Sequence, residues 1–131
     1  MAELLAAGIR EVICLSSALE IKVRCPEYGE VLVQGSLPCH VDQELTLEDY
    51  GVPKDEVFPR KLGQVVQRLR LGERVLVHCR AGVGRTGLFC ICILRELGCT
   101  LEVAEQWVLL AGARPEAKEQ WEFVRQFVPP T

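Results

Sequence analysis

An α/β domain with a parallel or mostly parallel sheet covered by helices is the fold this sequence predicts. Two observations lead there. Short apolar, β-branched runs at 9–15 and 74–78 alternate with longer stretches whose apolar residues recur every three or four positions. That is the pattern of strands joined by crossover helices. The chain is also 131 residues long, 49% hydrophobic and 25% charged. This is the length and composition of one folded domain rather than of a disordered chain, so 1–131 is read as a single domain.

In order along the chain, 2–7 reads as a short helix stopped by Gly8, and 9–15 as a strand. Residues 16–28 are mixed and broken by Pro26; 29–34 gives one or two helical turns before Gly35. A second extended stretch falls within 38–47, placed at 45–47, and Asp49-Tyr50-Gly51-Val52-Pro53 is a loop by its glycine and proline. Residues 55–71 carry Val57, Phe58, Leu62, Val65, Val66, Leu69 and Leu71 at helical spacing, ended by Gly72. A short buried strand at 74–78 leads into a glycine-rich turn over 79–84. Helices follow at 86–97 (stopped by Gly98), 101–110 and 116–127. Trp107, Trp121, Phe123 and Phe127 read as core, and Cys90 and Cys92 as packing residues.

The net charge is −3 and the pI near 5.5. Nucleic-acid binding needs a basic stripe, and none is present, so any anion site must be local. No apolar run reaches the ~18–20 residues of a membrane span. No basic leader precedes an apolar run in 1–13, where Arg10 and Glu11 interrupt, so no signal peptide is expected. Cys14, Cys25, Cys39, Cys79, Cys90, Cys92 and Cys99 make an odd count, several within apolar segments. They read as free thiols in a reducing, cytoplasmic compartment. There is no C-x-x-C pair, and His40 and His78 are far apart; neither a metal nor a cofactor is expected. The chain is read as a monomer.

The chemistry concentrates in His78-Cys79-Arg80-Ala81-Gly82-Val83-Gly84-Arg85-Thr86-Gly87. Five residues between Cys79 and Arg85 let the backbone curl around a tetrahedral anion, with amides of Arg80, Ala81, Gly82, Val83 and Gly84 converging on its oxygens. Gly82 and Gly84 supply backbone freedom. The helix that follows points its positive end into the loop, and Arg85 adds a bidentate clamp. The same field lowers the pKa of Cys79 and prepares a thiolate nucleophile. Thr86 hydrogen-bonds the sulfur and assists its departure; His78 fixes the loop.

Three other readings compete. Gly82-Val83-Gly84-Arg85-Thr86-Gly87 matches G-x-G-x-x-G, yet 81 residues precede it and no ribose-binding acid follows on a strand. A phosphate loop of the G-K-[ST] kind lacks its lysine. A merely structural Cys79 leaves the glycines, Arg85 and Thr86 unexplained together.

The H-C-x-x-G-x-G-R-T-G stretch resembles the signature of the protein tyrosine phosphatase superfamily. The D-Y-G-V-P loop, Gly8-Ile9 before a strand, and Arg114-Pro115 with Gln120 resemble its small dual-specificity branch. The resemblance implies a four- or five-stranded sheet flanked by helices and a metal-free, two-step mechanism. It implies hydrolysis of phosphotyrosine, extended to phosphoserine and phosphothreonine, in a phosphorylated protein substrate. The stretch ahead of the first helix is trimmed relative to the family, and no long tyrosine-recognition loop is evident. A phosphoinositide or other small phosphomonoester is the less favoured substrate, since Arg80 alone adds charge to the loop. A rhodanese-like sulfur transferase and a phosphate-binding module without turnover are the remaining alternatives.

Cleaving a phosphoester needs a proton on the leaving oxygen. Asp49, 30 residues before Cys79 and four before a proline, resembles the family's acid on its mobile loop; Asp42 is the weaker candidate, and Asp49 also suits turn initiation. The resemblance suggests that Gln120 positions hydrolytic water and that Arg114-Pro115 makes a turn near the site. The bland reading of Gln120 is a surface residue on the last helix.

Overall fold

A computed structural model of the chain describes residues 7–17, 20–21, 40–79 and 83–130. Three strands and four helices occur among them: β1 (Ile9–Cys14), β2 (His40–Asp42), α1 (Val57–Arg70), β3 (Arg74–His78), α2 (Gly84–Glu96), α3 (Leu101–Leu110) and α4 (Lys118–Gln126). The strands form one parallel sheet in the order β2-β1-β3. In register, Val12 faces Val41 and Leu76, and Cys14 faces His78. An irregularity between Ile9 and Glu11 shifts the β1–β3 register. The expected helix over 2–7 (apart from Ala7) and the turns over 29–34 lie outside the described residues, as do Cys25 and Cys39.

β1 is the middle strand and reads accordingly: Val12, Ile13, Cys14 and Leu15 are buried, as a strand flanked on both sides requires. α1 turns Phe58, Leu62, Val65 and Val66 inward. α2 touches α1, α3, α4 and β3, and almost every residue from Gly84 to Ile93 is buried; a helix apolar on all sides belongs in the centre. Phe58 joins the layers, meeting Phe89, Phe123 and Phe127 edge-on at 6.0, 5.4 and 6.5 Å. The Thr100 hydroxyl accepts from the Val103 amide over 3.2 Å and starts α3.

Three expectations are corrected. The second strand lies within the expected 38–47 stretch, but at His40–Asp42 rather than 45–47. Leu45 and Leu47 are buried but fill the core from irregular backbone, with the Leu47 amide bonded to the Leu15 carbonyl. The true strand has a polar sequence because its ends serve ion pairs: His40 donates from Nδ1 to Glu11 over 2.7 Å, and Lys61 donates to Asp42 over 2.5 Å. Trp107 is not core but 61% exposed, since the inner face of α3 is Ala104 and Val108 and Trp107 falls on its flank. α2 begins at Gly84 rather than at residue 86, which puts Arg85 inside its first turn.

Candidate active site

Because the strands are parallel, Cys14, Asp42 and His78 end on one rim. Open parallel sheets bind ligands on that rim. Cys79 follows β3 directly and is 6% exposed. The Thr86 hydroxyl, in the first turn of α2, donates to Cys79 Sγ over 3.2 Å, so the positive end of α2 lies beside the sulfur. His78 donates from Nδ1 to the Cys79 carbonyl over 3.3 Å. Burial pushes this imidazole below its ordinary range despite that bond, and it is uncharged at neutral pH. Arg80, Ala81 and Gly82 lie outside the described residues. Gly84 has helical rather than left-handed backbone. Its reason for being glycine is space: a Cβ there would stand 2.7 Å from Glu116 Oε1 and 3.1 Å from Gln120 Oε1.

Arg85 is 2% exposed and held from two sides. Glu20 takes Nη1 at 2.9 Å and Nη2 at 2.7 Å, and the Leu47 carbonyl takes the other Nη1 hydrogen at 2.9 Å. Of five guanidinium donors, those contacts use three. What remains is Nε–H, buried with no hydrogen-bond partner, and the outer Nη2–H, 3.7 Å from Asp49 Oδ1 as an N···O distance. These two donors are parallel and share one edge, the fork that a phosphate takes bidentately. Burial works against the charge, but Glu20, Cys79 and Asp49 outweigh it and hold the guanidinium protonated.

The two candidate acids differ sharply. Asp42 ends β2 and faces Lys61, itself 3% exposed. Burial raises the Asp42 carboxyl, but Lys61, the Glu44 amide and His40 together outweigh it and hold it below the usual range. Lys61 also donates to Glu44 and Gln64, which satisfies all three ammonium hydrogens. Asp42 is thus a structural carboxylate. Asp49 is on the rim, half-exposed, beside the open edge of Arg85.

Gln120 is neither a surface residue nor a free one. It is fully buried; Oε1 accepts from the amides of Glu116 and Ala117, and Nε2 donates to the Gly51 carbonyl. Arg114 is exposed, and its amide donates to the Val83 carbonyl over 3.2 Å. A Cβ on Gly87 would lie 2.4 Å from the Arg114 carbonyl carbon, so the last glycine of the signature lets that backbone close onto α2. Cys92 is buried and Cys90 half-buried, and burial pushes both thiols up to about 12.

Sequence reasoning missed Glu20. Its signal is local: Ser17-x-x-Glu20 has helix-start spacing, and the Glu20 amide does bond the Ser17 hydroxyl over 3.1 Å. No described helix is long and apolar enough to cross a membrane.

The fold has close parallels. The structure of Tk-PTP in its active form superposes with a TM-score of 0.71 at 24% identity, covering 93% of this chain and 80% of that one. A kinase associated phosphatase with its catalytic-site cysteine changed to serine gives 0.73 at 22%, covering 96% and 72%. The human tyrosine phosphatase-like serine/threonine/tyrosine-interacting protein gives 0.70 at 21%, covering 96% and 80%. At such identities the likeness speaks for the fold alone. Among curated proteins, the protein-tyrosine-phosphatase PTP1 of Arabidopsis thaliana is 46% identical over 44 residues, 32% of this chain. The tyrosine-protein phosphatase non-receptor type 20 of Rattus norvegicus is 33% identical over 89 residues, 61% of this chain. The matched stretches span only 13% and 21% of those two proteins. A family model covers the whole chain, residues 1–131, and on that match the chain belongs to the PTP-SAK family, described as "Swiss Army Knife protein, DSP-PTPase phosphatase domain".

Proposed function

We propose that residues 1–131 act as one catalytic domain that hydrolyses phosphotyrosine, and phosphoserine or phosphothreonine, in protein substrates through a cysteinyl-phosphate intermediate. The observation that carries this reading is the Nε–Nη2 edge of buried Arg85, whose Nε has no hydrogen-bond partner among the described residues, on the same rim as Cys79. Thr86, Arg85 and the positive end of α2 all favour an anionic sulfur. In the first step Cys79 Sγ bonds to phosphorus, the ester P–O bond breaks, and Asp49 gives its proton to the leaving oxygen. In the second, water attacks phosphorus, Asp49 takes the water proton, and the sulfur leaves with the Thr86 hydroxyl bonded to it. The amides of Arg80 to Gly84, of which 80–82 lie outside the described residues, are assigned the anion cradle on the loop's spacing, and His78 bonds the Cys79 carbonyl beside it. Cys14, Cys90, Cys92 and Cys99 carry thiols rather than disulfides, which suits a reducing, cytoplasmic setting, and the domain is read as a monomer.

The test is turnover of p-nitrophenyl phosphate and a phosphopeptide panel by wild type, Cys79→Ser and Asp49→Ala. Cys79→Ser is expected to be inactive. Asp49→Ala is expected to lose roughly 10²–10⁴-fold on the phosphopeptides, the usual share of acid catalysis, and less on p-nitrophenyl phosphate, whose leaving group needs the proton least. A near-normal Asp49→Ala beside a crippled Asp42→Ala overturns the acid assignment; binding of phosphopeptides by wild type without hydrolysis overturns the enzyme reading.

A further inference from the structure

The loop that bears Asp49 is fastened at both ends. Upstream, the Leu47 amide donates to the Leu15 carbonyl over 2.8 Å, and the Leu47 carbonyl accepts from Arg85 Nη1 over 2.9 Å. Downstream, the Gly51 amide donates to the Glu48 carbonyl over 2.8 Å, which closes a tight turn, and the Gly51 carbonyl accepts from Gln120 Nε2 over 3.0 Å. Asp49 rides on the short arch between these anchors. The next residue, Tyr50, has φ 59°, a left-handed conformation that a residue with a side chain adopts only where its surroundings over-determine it.

Gln120 reaches this arch from a junction of three segments. Its Oε1 accepts from the Glu116 and Ala117 amides at 2.8 and 3.1 Å, which occupies both lone pairs. A Cβ on Gly84 would touch the same oxygen, so the side chain also abuts the first turn of α2. One rigid, fully buried amide therefore spans the start of α2, the approach to α4 and the acid loop.

We propose that Gln120 is a positioning residue that acts as a latch: by holding the Gly51 carbonyl it sets where Asp49 delivers its proton. This rests on the reading of Asp49 as general acid. It assigns the amide to the acid loop, with a single Nε2 hydrogen left for any other contact.

Leaving-group dependence separates the latch from a general structural role. Proton delivery matters for aryl phosphates with poor leaving groups and little for those with good ones. Gln120→Glu keeps an oxygen for the Glu116 and Ala117 amides but removes the donor to Gly51; Gln120→Met removes both. Asp49→Asn is the reference. Each is assayed on a series from phenyl to p-nitrophenyl phosphate, above neutrality so that the new carboxylate is ionised, with thermal unfolding as the control for folding. Wild type should show kcat nearly independent of leaving group, and Asp49→Asn a steep dependence. Gln120→Glu should become steep as well, losing roughly 10²-fold on phenyl phosphate, the scale of a group misplaced by about 1 Å. Its KM should be unchanged, and its loss on p-nitrophenyl phosphate should be smaller than on phenyl phosphate. A folded Gln120→Met should follow it. A flat dependence or a uniform drop in Gln120→Glu, beside a steep Asp49→Asn, overturns the latch and leaves the acid in place. A flat dependence in Asp49→Asn removes the acid assignment, and the latch with it.

Discussion

Glu20 decides which edge of Arg85 faces the proposed phosphate. By occupying Nη1 and Nη2 together it fixes the guanidinium end-on and turns the Nε–Nη2 edge to the other side. Removing one partner of a buried ion pair leaves the other charge uncompensated. Glu20→Ala is therefore expected to lower stability by an amount near the bottom of the about 3–5 kcal/mol range for such deletions, since Glu20 keeps 22% of its side-chain surface exposed. An oxyanion such as phosphate should restore part of that charge balance. Its stabilising thermal shift should then be larger in Glu20→Ala than in wild type, as linkage requires of a ligand that binds the folded state more strongly. Equal shifts, measured by calorimetry at matched phosphate, would show that Glu20 does not tune the fork.

At the scale of elements, α2 is placed by what it lacks. Gly87 has Arg114 backbone atoms at 2.4 to 2.6 Å from its missing Cβ, far inside van der Waals contact, and neither backbone can yield cheaply. Gly87→Ala should cost about 1–3 kcal/mol, the range for overpacking. It should also slow turnover by shifting the first turn of α2 against Cys79, whereas Gly63→Ala, with open space around it on α1, should do neither. Urea unfolding and steady-state kinetics on the two variants check this. These glycines also show what the sequence could and could not disclose. The Cys79-to-Gly87 stretch suggests its proposed chemistry because spacing alone constrains a loop around an anion. It did not announce that Gly84 and Gly87 serve contacts with residues near 116 and 120, since a partner thirty residues away leaves no local pattern. The same limit explains β2. Leu45-Thr46-Leu47 alternates like a strand, but the pairing fell to His40–Asp42, whose polar ends are stabilised by Glu11 and Lys61. The amphipathic face of α1 was legible because its period alone reports the buried side.

Across the whole molecule, buried titratable groups bound the pH range of stability. Asp42 and His78 both have folded-state values below their ordinary ones. Each contributes stability that is present above its unfolded value and lost as pH falls through the folded one. Cys90 and Cys92 are raised from 9.0 to about 12. They contribute stability that is full below 9 and lost as pH rises toward 12. These groups should thus make unfolding free energy decline below neutrality and above about pH 9. His78→Asn should weaken the loss that begins just below neutrality, and Cys90→Ala with Cys92→Ala should weaken the alkaline one. Denaturant titrations across pH test both limbs. The proposed site could be named from the sequence to the extent that it is local: Cys79, Arg85, Thr86 and Asp49 lie in short signatures. Glu20 and the buried role of Gln120 could not, because they act only once distant segments have met.

The parallel sheet has one further consequence. Every strand enters from the rim where Gly8, Gly72 and Glu73 gather and leaves toward Cys79. β3, at about 3.3 Å per residue, keeps the two rims apart by its five-residue length. The turn at Leu71, 74% exposed, is thus the natural place for a tether or a fused reporter. A molecule fixed to a surface there would stand with its reactive mouth pointing away from the support.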